Sequence, residues 1–136
     1  IKIIQFQNFN LVLSYKNRMK GKTKKINRWD NLIKKLSNDF NDGELIDLEG
    51  VIYLIGIQEL GFFDKKFKKD EKVNLMHIAI CRLLEPYGYY EFDYVDKDGW
   101  PHYNLLTNLP QLKPGEQSVL MKEAIIDYFL KKGFIS

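Results

Sequence analysis

Apolar residues recur at helical spacing in four segments of the chain, and each segment is bounded by residues that favour turns. The first segment predicts a helix over about residues 28–41, with Asn27 as its N-cap and a stop at Asn41-Asp42-Gly43. The second segment, residues 48–60, is either a buried strand or a helix, and its length favours a helix. The apolar stripe of the first helix consists of Trp29, Leu32, Ile33, Leu36 and Phe40.

The third segment is the most apolar part of the chain and predicts a central helix. It runs from Asp70, a good N-cap, to about Glu85, where Pro86 prevents continuation. The fourth segment predicts a helix over about residues 116–132 that has two apolar stripes. Because a single packed face needs only one stripe, this helix is either covered on two sides or contacts a partner protein. The additional stripe consists of Val119, Ile126 and Leu130.

Two alternating segments between the third and fourth helices predict a β-hairpin. They span residues 89–95 and 100–106, with Asp96-Lys97-Asp98-Gly99 as the turn. If Val95 pairs with Trp100, Asp93 lies opposite His102, and Pro101 places its strand at a sheet edge. The predicted buried face then consists of Tyr90, Phe92, Tyr94, Tyr103 and Leu105. The opposite face consists of Glu91, Asp93, His102 and Asn104.

These elements predict an α+β fold of about four helices, with the hairpin between the third and the fourth. This order resembles that of winged-helix proteins, and the resemblance implies a third helix that reads DNA and a hairpin that forms the wing. Two features of the sequence argue against that function. The third helix is apolar where a recognition helix is basic, and the hairpin is acidic.

Length and composition limit the class of protein. The 136 residues suit one domain, which we place at residues 27–136. No apolar run reaches the roughly 20 residues that span a bilayer, so we expect a cytoplasmic protein that does not enter a membrane. Cys81 is the single cysteine, which excludes an intramolecular disulfide and a zinc site built on several cysteines.

The positive charge is concentrated at the start of the chain. Residues 1–28 contain eight basic and no acidic side chains, whereas the remainder contains 13 basic and 18 acidic ones. We therefore predict a basic arm, residues 1–26, which is either a solvated tail or a contact for nucleic acid. Because Met19 is a plausible start, residues 1–18 are either the upstream remainder of a fragment or a mistaken extension of the reading frame. The candidate polyanion contacts are Lys20, Lys22, Lys24, Lys25, Lys65, Lys66, Lys68 and Lys69.

The sequence contains no glycine-rich phosphate loop, nucleophile elbow or paired-histidine zinc motif. Two weak polar sites stand in their place: His77 with Cys81 one helical turn apart, and Asp93 with His102 across the hairpin. Thiol chemistry or general base catalysis would use such pairs. The structural alternative for the first is the less buried side of a helix, and for the second an ordinary cross-strand pair.

We therefore expect a non-enzymatic protein-interaction module or adaptor, including one that binds a second copy of itself. We expect no catalytic residue, cofactor or metal. The alternative is a winged-helix-like protein that binds nucleic acid through its arm and loop lysines. The predicted interaction surface consists of Val119, Ile126, Leu130, Trp100 and Tyr89.

Overall fold

The structure, a computed structural model, describes residues 23–62 and 66–136, with side chains described from residue 28 onward. Within those ranges it has four α-helices and one two-stranded antiparallel sheet, so the predicted α+β order is confirmed. The hairpin lies between the third and fourth of these helices. The elements are α1 (Thr23–Phe40), α2 (Leu48–Leu60), α3 (Lys69–Leu84), a 3₁₀ turn (Glu85–Tyr87), β1 (Tyr90–Val95), β2 (Pro101–Leu105) and α4 (Pro114–Lys131).

The ends of the first helix show where local signals succeed and fail. Because α1 begins at Thr23, Asn27 lies inside the helix, and its prediction as the N-cap is wrong. The predicted stop is confirmed. The Ser37 carbonyl accepts the backbone N–H of Gly43 at 3.0 Å, and both Asp42 and Gly43 adopt positive φ. Such a left-handed turn accepts the last carbonyl bonds of a helix and ends it.

The third helix begins one residue before the predicted N-cap. Lys68 occupies the N-cap position, and its backbone N–H donates to the Glu71 carboxylate at 3.0 Å. Asp70 therefore lies in the first turn, where a carboxylate also interacts favourably with the helix dipole. Glu71 thus caps α3 while remaining beside the hairpin that follows it.

The described chain divides into two compact units. One contains α1 and α4, and the other is the continuous segment Leu48–Thr107, which contains α2, α3 and the hairpin. In the first unit α1 contacts α4, and Lys122 places its ammonium 5.3 Å from the Trp29 ring centroid. The core-facing residues of α1 are Leu32 and Leu36. Those of α4 are Leu120, Met121, Ala124, Ile125, Ile126 and Tyr128.

This burial corrects part of the predicted interaction surface. Ile126 is 2% exposed, so it is a core residue and is closed to a partner in this conformation. Leu130 is half-buried, and Val119 is the exposed member of the predicted second stripe. The physical reason is that α4 is covered on more than one side, which was the other outcome that its two stripes allowed.

In the second unit, α2 and α3 pack closely against each other around a glycine. A β-carbon at Gly56 would lie 2.3 Å from the Leu75 carbonyl oxygen, so only glycine permits this approach of the two backbones. Arg82 of α3 joins the pair by an ion pair to Glu59 of α2 at 3.2 Å. The buried side chains of the pair are Val51, Ile52, Ile55, Leu60, Leu75, Ile78, Ala79, Cys81, Leu83 and Leu84.

The hairpin has a different register from the predicted one. Phe92 pairs with Tyr103 and Tyr94 pairs with His102, because a bulge at Asp93 adds one residue to β1. Asp93 therefore does not lie opposite His102, and that prediction is wrong. Since Tyr103 and His102 are neighbours on β2, their side chains point to opposite faces, and the same holds for Phe92 and Tyr94.

The five residues predicted as one buried face are consequently split and partly exposed. Tyr90 and Tyr103 are half-buried on the side where α3 contacts both strands. Phe92, Tyr94 and Leu105 each leave about half of their surface accessible. A two-stranded sheet has two faces, and one helix covers only one of them, so the alternation predicted more burial than α3 supplies.

Candidate functional site

A cleft of about 460 Å³ lies between α3 and the hairpin, inside the second unit. It brings together the two polar sites that the sequence predicted separately, since α3 contributes His77 and β2 contributes His102. These are the two histidines of the chain. The cleft is lined by Glu71, Asn74, His77, Ile78, Asp96, Trp100, Pro101, His102 and Tyr103.

Asp96 organises the hairpin side of the cleft. Its Oδ1 accepts the backbone N–H groups of Asp98 at 2.9 Å and Trp100 at 3.0 Å, which closes the turn. Its Oδ2 lies 2.8 Å from Nε2 of His102. The hydrogen bond from His102, followed by the one from the Trp100 backbone, lowers the pKa of the Asp96 carboxyl below its ordinary value of 3.8. Asp96 is therefore a carboxylate near neutral pH.

His102 is oriented from two directions. Asp96 holds Nε2, and the imidazole stacks on the Tyr94 ring with centroids 4.5 Å apart and planes 2° from parallel. When the imidazole is neutral, the bond to Asp96 favours the proton on Nε2 and leaves Nδ1 as the acceptor nitrogen. An imidazole fixed in this way can accept a hydrogen bond from a ligand or a proton from a reacting group.

The second histidine lies on α3 and faces less polar neighbours. Nε2 of His77 is 3.5 Å from the sulfur of Cys81, and its ring meets Tyr90 edge to face with centroids 6.4 Å apart. Cys81 is fully buried, and burial raises the pKa of its thiol to about 12. The thiol is therefore protonated near neutral pH, and the pair lacks the thiolate that nucleophilic chemistry requires.

The structure assembles the predicted polar residues only in part. His77 and His102 line one cleft, Cys81 is buried and does not line it, and Asp93 occupies the exposed bulge. Asp96 takes the place predicted for Asp93. The signal for this was present in the sequence, because an aspartate two residues before another polar turn residue commonly accepts backbone N–H groups of its own turn.

The predicted apolar surface is also redistributed. Tyr89 is 1% exposed and, like Ile126, is not open to a partner, while Trp100 is half-buried in the cleft. Five apolar side chains that the prediction omitted are each about half exposed on or beside the strands. We call them the hairpin surface: Phe92, Tyr94, Val95, Leu105 and Leu106.

The candidate polyanion contacts lie mostly beyond the described side chains. Lys20, Lys22 and Lys65 fall outside the described residues, and Lys24 and Lys25 are described only as part of the α1 backbone. The remaining three, Lys66, Lys68 and Lys69, are exposed. Residues 1–18, whose origin the sequence leaves open, also fall outside the described ranges.

Two features are absent from the part of the chain that the structure describes: a metal-binding cluster and a membrane-spanning helix. No group of three or more histidine, cysteine, aspartate or glutamate side chains there is arranged to hold a metal ion. None of the helices there combines the length and the hydropathy needed to cross a bilayer. Comparison of the sequence and structure with family models, curated proteins and solved structures gives no match.

Proposed function

We propose that this chain is a protein-interaction module whose contact surface is the hairpin surface. The observation that carries the proposal is the exposure of Phe92, Tyr94, Val95, Leu105 and Leu106, each between 48% and 55%. Scattered apolar side chains are ordinary on a protein surface, whereas here five apolar side chains occur on one short hairpin, divided between its two faces, and each face presents apolar area to a partner. Covering such an area with a partner removes it from water and stabilises the complex.

The composition of the hairpin surface also suits protein recognition. Aromatic side chains are enriched at the centres of protein interfaces, and Phe92 is held against Tyr103 with ring centroids 5.9 Å apart. A side chain that is already positioned loses less conformational entropy when a partner covers it. The rim is acidic, because the strands and their turn carry Glu91, Asp93, Asp96 and Asp98 against a single Lys97. The rim therefore favours a partner protein with an apolar patch and a neutral or basic rim. A second copy of this chain is the less favoured partner, because hairpin-to-hairpin contact would bring two acidic rims together.

The same charge distribution makes nucleic acid the weaker alternative. A wing with four carboxylates and one lysine repels the phosphate backbone that supplies most of the affinity for nucleic acid. Two features support binding of nucleic acid: the basic arm and the exposed side chains of Lys66, Lys68 and Lys69. Its test is binding of DNA or RNA that weakens steeply with salt.

A pair of double variants tests the proposal. Phe92→Ser with Leu105→Ser removes apolar area from the hairpin surface. Leu45→Ser with Val73→Ser removes exposed apolar area elsewhere, since these side chains are 74% and 63% accessible. Burial of a Phe or Leu contributes about 1.5–3 kcal/mol, so the first variant should weaken association at least about tenfold.

The measurements are sedimentation across a concentration series for self-association and quantitative affinity purification from the native host for a partner. The control variant should associate like the wild type, and all three proteins should unfold at similar urea concentrations. Equal association of the two double variants would reject the hairpin surface as the contact.

A further inference from the structure

The cleft between α3 and the hairpin combines negative charge with aromatic side chains. Glu71 and Asp96 supply two carboxylates, and Trp100 and Tyr103 supply two rings. Neither lysine nor arginine occurs among the described residues that line it. From this juxtaposition we infer that the cleft binds an organic cation of the guanidinium or ammonium type. The inference concerns residues outside the hairpin surface and does not depend on the proposed function.

Both carboxylates are fixed by the fold before any ligand arrives. One oxygen of Glu71 accepts the backbone N–H of Lys68 at 3.0 Å, and Asp96 accepts two turn N–H groups and His102. A carboxylate oxygen has two lone pairs, and the hydrogen bond with His102 occupies one of those on Oδ2 of Asp96. Carboxylates held in place in advance attract a cation without a further cost of ordering their side chains.

The aromatic walls distinguish an organic cation from an inorganic one. Trp100 and Tyr103 are half-buried, and their backbones are held by the turn and by the strand pairing. A cation over a Trp or Tyr face is attracted by the ring quadrupole, and a planar guanidinium also stacks on the ring. For a metal ion the described residues contain no group of three or more histidine, cysteine, aspartate or glutamate side chains that could hold it.

The size and charge of the cleft restrict the ligand further. Its volume of about 460 Å³ lies within the range of roughly 300–1,000 Å³ that is usual for small-molecule pockets. An anion would approach Glu71 and Asp96 without a compensating basic side chain in the lining, so phosphates and carboxylates are disfavoured. His77 and His102 are the other titratable side chains that line the cleft.

The test is a titration of the full chain with N-acetyl-arginine amide, followed by NMR. The matched ligand is N-acetyl-citrulline amide, which has nearly the same shape and no charge. The indole N–H of Trp100 reports on the cleft, while that of Trp29, the other tryptophan, lies in α1 and serves as an internal control. We expect saturable shifts at Trp100, His77 and His102 with the arginine compound, and at least about tenfold weaker binding of the citrulline compound.

Two charge-removing variants keep the local structure and sharpen the test. Glu71→Gln retains an acceptor for the Lys68 N–H, and Asp96→Asn retains one for the turn N–H groups, but each removes one negative charge. Loss of a charge-assisted contact should weaken binding by about three- to tenfold in each variant. Asp98→Asn is the control, because Asp98 lies in the same turn and does not line the cleft.

A guanidinium can come from a free small molecule or from an arginine side chain of a protein, and a second titration separates these sources. If Gly-Gly-Arg-Gly-Gly binds much more tightly than the capped amino acid, the source is a protein segment. If the two bind equally, it is a small molecule. The inference is overturned by equal binding of the citrulline compound, by equal shifts at Trp29, by failure to saturate, or by unchanged binding in both Glu71→Gln and Asp96→Asn.

Discussion

The α2–α3 pair and the hairpin lie in the same unit, and both are rich in large apolar side chains, yet only the pair buries them. The pair brings its backbones together at Gly56 and hides Leu75 completely. The hairpin leaves Phe92 and Leu105 about half exposed. The difference teaches that apolar content alone does not decide burial, because a helix pair provides its own second layer and a two-stranded sheet does not.

The largest expected effect separates the two regions by stability. Leu75→Ala should lower the free energy of unfolding by about 2–5 kcal/mol, because it opens a cavity in the helix pair. Phe92→Ala should cost less than about 1 kcal/mol, since Phe92 already contacts water in the folded state. Urea unfolding followed by circular dichroism measures both values. Similar losses would mean that the hairpin contributes to the core as much as the helices do.

The next effect tests the close approach of the helices. Gly56→Ala should destabilise the protein by about 1–3 kcal/mol or more, because the new methyl group meets the Leu75 carbonyl and forces the backbones apart. Gly115→Ala is the control: it lies in α4 with open space around its α-carbon and should be neutral or slightly stabilising. Thermal unfolding of the two variants measures the difference. A neutral Gly56→Ala would contradict the described packing of α2 on α3.

The smallest effect concerns the hairpin turn and depends on pH. The pKa of Asp96 is lower in the folded protein than its ordinary value of 3.8, so its carboxylate favours the folded state above that value. This contribution is lost as the pH falls through the lowered, folded-state pKa. Asp96→Asn should therefore be slightly less stable than the wild type near neutral pH, with a gap that closes in acid.

The expectation is tested by urea unfolding from neutral pH down into acid. The midpoints are compared for the wild type, Asp96→Asn and Asp98→Asn. Asp98→Asn should follow the wild type, because the hydrogen bonds that lower the pKa of Asp96 come from His102 and from backbone N–H groups, which the substitution retains. A gap that stays constant with pH would show that the Asp96 charge does not stabilise the turn.

Local patterns predicted the elements well and the contacts between them less well. The spans of α2 and of the hairpin, and the stop at Asn41 to Gly43, follow from spacing and turn residues. The start of α1 and the pairing of His102 did not follow. A helix can continue through a residue suited to capping, and a single bulged residue reverses which side chains face each other.

For the candidate sites too, local patterns predicted individual residues better than the contacts between them. Sequence spacing selected His77 and His102 as residues of interest but assigned them to separate pairs, because nothing local to either one indicates that α3 packs beside the hairpin turn. It also selected Ile126 as a contact residue, although the structure buries it. A second apolar stripe is compatible with both outcomes, and only the number of neighbours around α4 distinguishes them.

The sequence by itself determined the order of helices and strands, the acidic character of the hairpin and the absence of a disulfide within these 136 residues, since these depend on neighbouring residues and on composition. The tertiary structure alone decided that two histidines share a cleft with Asp96, that Cys81 is buried, and that the hairpin exposes more apolar surface than α4. These properties depend on which distant segments pack together. Packing is selected by the complementarity of whole surfaces, which no short stretch of sequence contains.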